Sequence, residues 1–426
     1  MQQYNNYKNS GVEWLGEIPE HWEEKKFKHI FSEKKKTTDV DLPCGSISFG
    51  KVVYKDDEKI PESTKRSYQV LSDGDFLINP LNLNYDLISL RIALSDKEVV
   101  VSSGYIILDN NLKLNKNYYK WLLHIFDVVY MKTLGSGVRQ TLSFTHIANC
   151  ELVFPPLEEQ NKIADFLETK TTKIDQAIAI KQKQIELLKE SRQILIHKAV
   201  TRGLNDKVKL KDSGVEWIGE IPEHWKVTPL RHIGKTQNGI SKGGEYFGTG
   251  FPFVSYGDVY RDIKLPLLVN GLVKSSIEDR NQYSVLEGDI LFTRTSETVE
   301  EIGFSSTCLQ TIENATFAGF LIRFRTQKNI LHKEFSKYYF SSSTHRAFFI
   351  KEMNLVIRAS LSQDLLKRMP VLLPPINEQE EIGNFLNDKT TKIATAISLK
   401  EQEIEKLKEY KMSLIDGVVT GKVRVC

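Results

Sequence analysis

The sequence predicts an α+β protein in which two globular bodies are joined by two long antiparallel helices. The helices form an intramolecular coiled coil, and the whole has approximate two-fold symmetry. Three observations predict this. Ser10-Gly-Val-Glu-Trp-Leu-Gly-Glu-Ile-Pro-Glu-His-Trp22 returns, with Ile for Leu, as Ser213-Gly-Val-Glu-Trp-Ile-Gly-Glu-Ile-Pro-Glu-His-Trp225, an offset of 203 residues. Phe154-Pro-Pro-Leu-Glu-Glu-Gln160 returns as Leu373-Pro-Pro-Ile-Asn-Glu-Gln379, an offset of 219. Each of these second segments runs into a charged stretch with a coiled-coil seam. Ile174, Ile178, Ile185, Leu188 and Leu195 match Ile393, Ile397, Ile404, Leu407 and Leu414 in spacing.

In chain order, residues 1–22 form the first repeated segment, and residues 23–153 form the first body. Ser46–Val53, Gly74–Asn79 and Val99–Leu108 read as strands, and Lys116–Met131 as a helix. Residues 154–225 hold the first long helix and the second Trp segment. Residues 226–372 form the second body, with strands at Phe251–Val254, Asp289–Arg294 and Gly319–Arg325 and a helix at His332–Ile350. Residues 373–426 hold the second long helix. The Pro155-Pro156 and Pro374-Pro375 pairs stop each body, because proline continues neither a ladder nor a helix interior. Asn377 and Glu380 fit a capping box, whereas Leu157 is a poor cap and predicts a more frayed start. The seam portion of each helix, about 29 residues, spans roughly 43 Å. Lys181 and Lys400 occupy seam slots, weakening the seam while fixing its register. The interiors of the two bodies match poorly. Simple domain duplication also produces repeats, but a closed antiparallel ring explains why each helix end is followed by, or can meet, a Trp segment.

The length of 426 residues and 40% apolar content suit several packed domains. The formal charge is +3. Residues 226–370 hold 19 basic and 14 acidic groups, and residues 23–150 hold 18 and 16. Any nucleic-acid binding must therefore come from local placement of Lys and Arg. The four scattered cysteines lack metal-ligand spacing and read as reduced thiols. No apolar run is long enough to span a membrane, and the first residues read as a cytoplasmic start.

Trp14, Trp22, Trp217 and Trp225 can stack on bases or wedge each segment against the helices. Identical copies favour packing or partner docking, since readers of two half-sites should differ. Ile178, Ile185, Leu188, Ile397, Ile404 and Leu407 belong to the same scaffold. His21 and His224 read as packing residues.

Together the duplicated Trp and Pro-Pro segments, with Ile163/Ile382, Phe166/Phe385 and Leu167/Leu386 following, resemble the specificity subunit of a Type I restriction-modification system. The resemblance covers the whole chain. It implies a DNA-binding component of a bacterial defence system, with residues 23–153 and 226–372 as target recognition domains. Each would read one half of a split double-stranded DNA sequence, with the helices setting the spacer. It implies two modification (methyltransferase) subunits as partners, joined by restriction and translocase subunits. S-adenosylmethionine, ATP and Mg would then be bound only by those partners.

Base reading calls for Arg, Lys, Asn, Gln and Ser on turns, with further Lys and Arg on phosphates. Arg139 aligns with Arg358 in the similar runs Gly137–Ser143 and Val356–Ser362; contact with DNA and a structural role are both open for each. Gln140 lies in the first run. Ser136, between Gly135 and Gly137, marks a turn able to approach a phosphate, or simply a turn. Arg294 and Thr295 emerge from an apolar strand, and Asn79 sits in the corresponding place. Ser255, Tyr256 and Lys242 are further candidates. Lys65 and Arg66 form a basic pair that reads equally as solvated surface.

No catalytic residue is expected. Asn79-Pro80-Leu81 is only a fragment of a methyltransferase loop, and no glycine-rich cofactor turn, phosphate-binding loop or nuclease cluster accompanies it. The rival reading is a non-catalytic coiled-coil scaffold or protein-interaction module without DNA sequence preference.

Overall fold

The computed structural model describes residues 2–81, 90–131, 142–295, 302–353 and 360–425. The chain divides into two units, Met1–Lys181 with Gln402–Cys426, and Gln182–Glu401. The division falls within both long helices, Leu157–Arg202 and Ile376–Val419.

In the first unit, β1 (Glu23–Lys26) pairs antiparallel with β6 (Glu151–Phe154), bringing the two ends of the first body together. Between them lie β2 (Phe31–Glu33), β3 (Phe76–Ile78), β4 (Ile92–Leu94), β5 (Ile106–Asn110) and α1 (Lys116–Ile125). The sheet order is β2-β5-β3-β4, all antiparallel. Alternation decides its faces. Phe76, Ile78, Ile106 and Leu108 join the large core containing Trp22, Phe31, Tyr118 and Tyr119. Leu77 and Ile107 point the other way, into a smaller core with Val52, Leu71, Val99 and Val101.

The second unit repeats this plan. β7 (Lys226–Pro229) pairs with β12 (Pro370–Leu373). β8 (Gly234–Asn238), β9 (Ile290–Thr293), β10 (Ser305–Thr307) and β11 (Leu321–Thr326) form a sheet in the order β8-β11-β9-β10, with α2 (Lys333–Tyr339) after it. Ile290, Phe292, Ile322 and Phe324 face one core, while Leu291 and Leu321 face another. The poorly matching bodies therefore share one sheet topology. The inserts differ in surface and loop length while keeping apolar residues at the positions that strand alternation buries.

Several local expectations are corrected. Ser46–Val53 is a hairpin, Gly45–Ser48 with Lys51–Tyr54, turned at Phe49-Gly50 where both residues have positive φ. Val99–Leu108 splits into strands belonging to two different sheets. The single helix expected over His332–Ile350 breaks after Tyr339 and resumes at Ser343–Met353. There Ser341 and Ser342 hydroxyls donate back to the Lys337 and Tyr339 carbonyls, an alternative to helix continuation. The long helices begin directly after each Pro-Pro pair, so Asn377 lies inside the first turn and does not cap it. Gln160 N–H donates to Pro156 O and Gln379 N–H to Pro375 O, both at 3.0 Å, so the two starts are alike.

The Glu-Gln pair after each Pro-Pro explains why both copies keep it. Trp22 Nε1 donates to Glu159 at 3.1 Å, and Trp225 Nε1 to Glu378 at 3.1 Å. His21 Nε2 lies 2.6 Å from Glu159, and His224 Nε2 lies 2.8 Å from Glu378. These partly exposed histidines also pack, His21 on the Tyr4 ring at 5.6 Å and His224 on the Trp225 ring at 6.5 Å, so they combine packing with a carboxylate contact. Gln160 accepts from Asn115 N–H and donates to Pro155 O, tying α1 to the Pro-Pro turn. Gln379 likewise accepts from His332 N–H and donates to Pro374 O.

The long-helix seams also form within the units. Ile178, Ile185, Leu188, Ile397, Ile404 and Leu407 are buried or half-buried. In the first unit Lys181 pairs with Glu403 and Asp175 with Lys411, an antiparallel progression. In the second unit Ile196 and Val200 share a core with Ile382 and Leu386.

Burial works to raise the Glu159 pKa, but hydrogen bonds from His21, Trp22 and Tyr4 overcome it and hold the carboxyl below its ordinary value. A carboxylate depressed by folding contributes stability that is complete above the ordinary carboxylate range. That contribution is lost as pH falls through the lower, folded-state pKa. Glu159→Gln should therefore lower stability by about 1.5–3 kcal/mol near neutral pH and remove this acid-sensitive component, as read by urea unfolding from pH 7 to pH 3. Gly421 and Gly203 follow the helix ends with φ +79° and +73°. A Cβ on Gly421 would lie 2.4 Å from Pro19 Cδ, whereas one on Gly203 would lie 2.9 Å from a Glu378 oxygen and 3.3 Å from Trp225. Gly421→Ala should cost more stability than Gly203→Ala, by roughly 1 kcal/mol or more. Equal losses in chemical denaturation would contradict that packing.

Candidate nucleic-acid interface

The candidate surface is built where the central strand of each sheet ends. A turn with glycine at positive φ leads into each strand: Gly74 at +82° before β3 and Gly288 at +85° before β9. The next residue closes the turn. Asp75 accepts from Ser72 N–H at 2.9 Å and Asp289 from Leu286 N–H at 2.8 Å. Asp75 also binds Lys34, and Asp289 binds Arg325, so each turn is pinned to the strand neighbouring it or beyond. This repeated (Asp/Glu)-Gly-Asp signal, offset by 214 residues, is visible in the sequence once the strands are aligned.

At the far ends of β3 and β9 the chains leave the sheet in the same way. Asn79 N–H donates to Arg91 O, and Thr293 N–H to Phe304 O, both at 2.8 Å. Leu142 N–H donates to Pro80 O at 2.9 Å, and Leu361 N–H to Arg294 O at 2.7 Å. Thr295 bridges Ser360. The strand ends thus meet the described part of the two arginine-bearing runs, at Leu142 and at Ser360 and Leu361. Ser136, Arg139, Gln140 and Arg358 themselves lie outside the described residues.

The predicted side chains have unequal freedom. Asn79 Oδ1 accepts from Leu81 N–H at 3.0 Å, closing a local turn. Arg294 is half-buried, and its guanidinium has no hydrogen-bond or acidic partner among the described residues. Thr295 is exposed. Ser255 and Asp258 form a capping box for the helix Tyr256–Arg261, and Tyr256 stacks on Tyr260 at 5.9 Å. Lys242 donates to Asp279 at 2.6 Å and to Lys274 O at 3.0 Å. The Lys242 hydrogen bond, aided by Ser276 N–H, holds the Asp279 carboxyl below its ordinary value. Lys65 pairs with Asp57 at 3.2 Å and Arg66 with Glu62 at 2.7 Å. The helix Tyr256–Arg261 packs against β9 and β10, with the Tyr260 ring 5.3 Å from that of Phe304.

One buried pair next to the first strand end was not signalled by any motif. Arg91 N–H and Nε–H both donate to Asp127, a carboxylate with no exposed surface. In the second unit Arg346 donates to Ile302 O and lies over the Phe304 ring at 5.0 Å. The two strand ends are therefore secured by different chemistry.

Trp22 and Trp225 are fully buried. Trp14 packs on Phe126 at 5.8 Å, and Trp217 on Phe348 at 5.9 Å. Among the described residues no cluster of His, Cys, Asp and Glu is arranged to hold a metal, and no helix is long and apolar enough to cross a membrane.

A family model for the Type I restriction modification DNA specificity domain matches residues 19–190 and 222–409. The putative type I restriction enzyme MjaX specificity subunit of Methanocaldococcus jannaschii is 25% identical, over 96% of this chain and 96% of its own length. The EcoKI specificity subunit of Escherichia coli is 29% identical over 54% of this chain and 48% of its own length. A solved chain from a structural study of type I R-M complex assembly and conformational transition covers 95% of this chain and 99% of its own. Its TM-score is 0.72 at 14% identity, a likeness of fold. The HsdS subunit from Thermoanaerobacter tengcongensis covers 95% of this chain and 98% of its own, with a TM-score of 0.56 at 15% identity. With both duplicated halves matched across most of their length, the chain belongs to the Type I restriction-modification specificity-subunit family.

Proposed function

We propose that this chain is the sequence-reading, non-catalytic subunit of a Type I restriction-modification complex. Each unit reads one half of a split double-stranded DNA target through the end of its central strand. The chain directs two modification (methyltransferase) subunits to that target, and restriction and translocase subunits join the same assembly. S-adenosylmethionine, ATP and Mg act on those partners. The observation that carries this reading is one frame built twice with different side chains at the same strand end. A structural duplication has no need of such a difference, whereas a reader of two unlike half-sites requires it.

Sequencing the methylated positions in DNA treated with the chain and its modification subunits tests the reading directly. Two short base-specific blocks separated by an unspecific gap are expected. Methylation without sequence preference would favour the bare coiled-coil scaffold instead. Arg294→Ala should relax one block and leave the other unchanged. If Arg294 touches phosphate instead, binding to all duplexes should weaken alike and the salt slope should drop by about 1. Removing seven residues from each long helix, in phase with the seam, shortens each by about 10 Å and should shorten the preferred gap. An unchanged gap would count against helix length setting it.

A further inference from the structure

The duplicated frame places two side chains of the second unit where the first unit has none of their kind. β9 ends with Thr293 opposite Leu321, and Arg294 N–H then donates to Phe320 O at 2.9 Å. Arg294 and Phe320 therefore face each other where the strand pair leaves the sheet. Phe320 stands in the turn closed by Leu321 N–H donating to Ala318 O at 2.9 Å, and its carbonyl brings it beside Arg294. In the first unit Ile78 is opposite Ile106. Carrying that register two residues further puts Gly104 opposite Pro80. The first unit thus builds the same sheet end from a proline and a glycine, so the frame does not require an arginine and a ring there.

Both side chains are available. Phe320 is 65% exposed, and its ring makes no aromatic contact among the described residues. The Arg294 guanidinium has no partner among them either. Their surroundings are polar: Ser241, Thr295 and Ser360 are all exposed, and the Ser241 hydroxyl sits beside Gly319. A protein-docking patch would gather several apolar side chains within a rim. The exposed Phe320 ring thus has hydroxyls and the Arg294 guanidinium close by in the chain's fold, a mixture that suits base edges in a major groove.

We propose that Arg294 and Phe320 form a base-reading pair, with the guanidinium taking a guanine edge and the ring taking the C5 methyl of an adjacent thymine. This rests on the DNA-reading function proposed above and assigns one base step to the second unit. The chemistry follows from donor and acceptor patterns: Arg suits guanine O6 and N7, and an apolar ring suits the thymine methyl. The spacing also fits. Opposed Cα atoms lie about 5 Å apart, and long side chains converge readily on bases stacked about 3.4 Å apart. Phe320 is then a specificity-determining residue that would distinguish this chain from a relative keeping the same frame.

The test uses the full chain assembled with its modification subunits, as wild type, Phe320→Ala, Phe320→Leu and Arg294→Lys. Methylated positions are sequenced first. Binding is then compared on target duplexes in which the thymines of one block carry deoxyuridine, which removes only the methyl group. Wild type should bind the substituted duplex about fivefold more weakly. Phe320→Ala should show that loss on ordinary DNA and no further loss with deoxyuridine, while Phe320→Leu keeps part of the thymine preference. Arg294→Lys should relax a guanine in the same block, leaving the other block intact. A Phe320→Ala variant that still discriminates thymine from deoxyuridine as wild type does would overturn the pairing. So would an equal loss on every sequence, or lost assembly with modification subunits while base choice is unchanged. A wild-type complex with no sequence preference would sink the parent function as well, so the two failures are distinguishable.

Discussion

Each unit depends on a carboxylate and an amide side by side in the first turn of a long helix. A fully buried indole leaves its N–H without water, and an unmade hydrogen bond there costs about 1–3 kcal/mol. Glu159 and Glu378 satisfy Trp22 and Trp225, at a helix end where a negative charge is favoured. The adjoining Gln160 and Gln379 reach the other way, to the start of α1 and α2 and back to the first proline carbonyl. Two consecutive side chains thus fix the Trp segment, the helix start and the globular body with respect to one another. Glycine at the opposite helix end, Gly421 or Gly203, gives the indole its close approach. Few substitutions at these positions satisfy every contact at once, which accounts for the near-identity of the two copies.

The sheets obey a different constraint. Both faces of the central strand are covered, so Phe76-Leu77-Ile78 and Ile290-Leu291-Phe292 are apolar throughout. Such strands leave no exposed side chain along their length for reading a ligand. Only their ends reach solvent, and there the chain is held by main-chain hydrogen bonds that do not specify side chains. The ends are therefore free to vary without loss of the fold. Pro80 with Gly104 in one unit and Arg294 with Phe320 in the other occupy the same geometry. Even the reinforcement beneath them differs, an Asp127 carboxylate in the first unit and an Arg346 guanidinium in the second. Recognition can change in such a frame while the core is left alone.

The sequence was most legible where a signal is local or periodic. The Trp segments, the Pro-Pro stops and the seam from Ile174 to Leu195 are of that kind. Helix breaks were less legible, because the run Ser341-Ser342 competes for backbone carbonyls in a way that apolar spacing does not register. The expected cap at Asn377 failed because the helix already begins at Ile376, two residues before a cap there would start it. The kinship of the two bodies was hidden by loops of different length. Its trace, Asp-Gly-Asp75 against Glu-Gly-Asp289, is too short to weigh before the strands are paired.

By itself the sequence determined the duplication, the helix seams and the family, since these are written in residue identity and spacing along one chain. Tertiary structure alone decided that two dissimilar inserts close the same four-stranded sheet. It also decided that Arg294 meets both Phe320 and Leu361. Those meetings join residues 26 and 67 positions apart. They are set by strand register, and register comes from the burial of whole faces, which no single segment encodes.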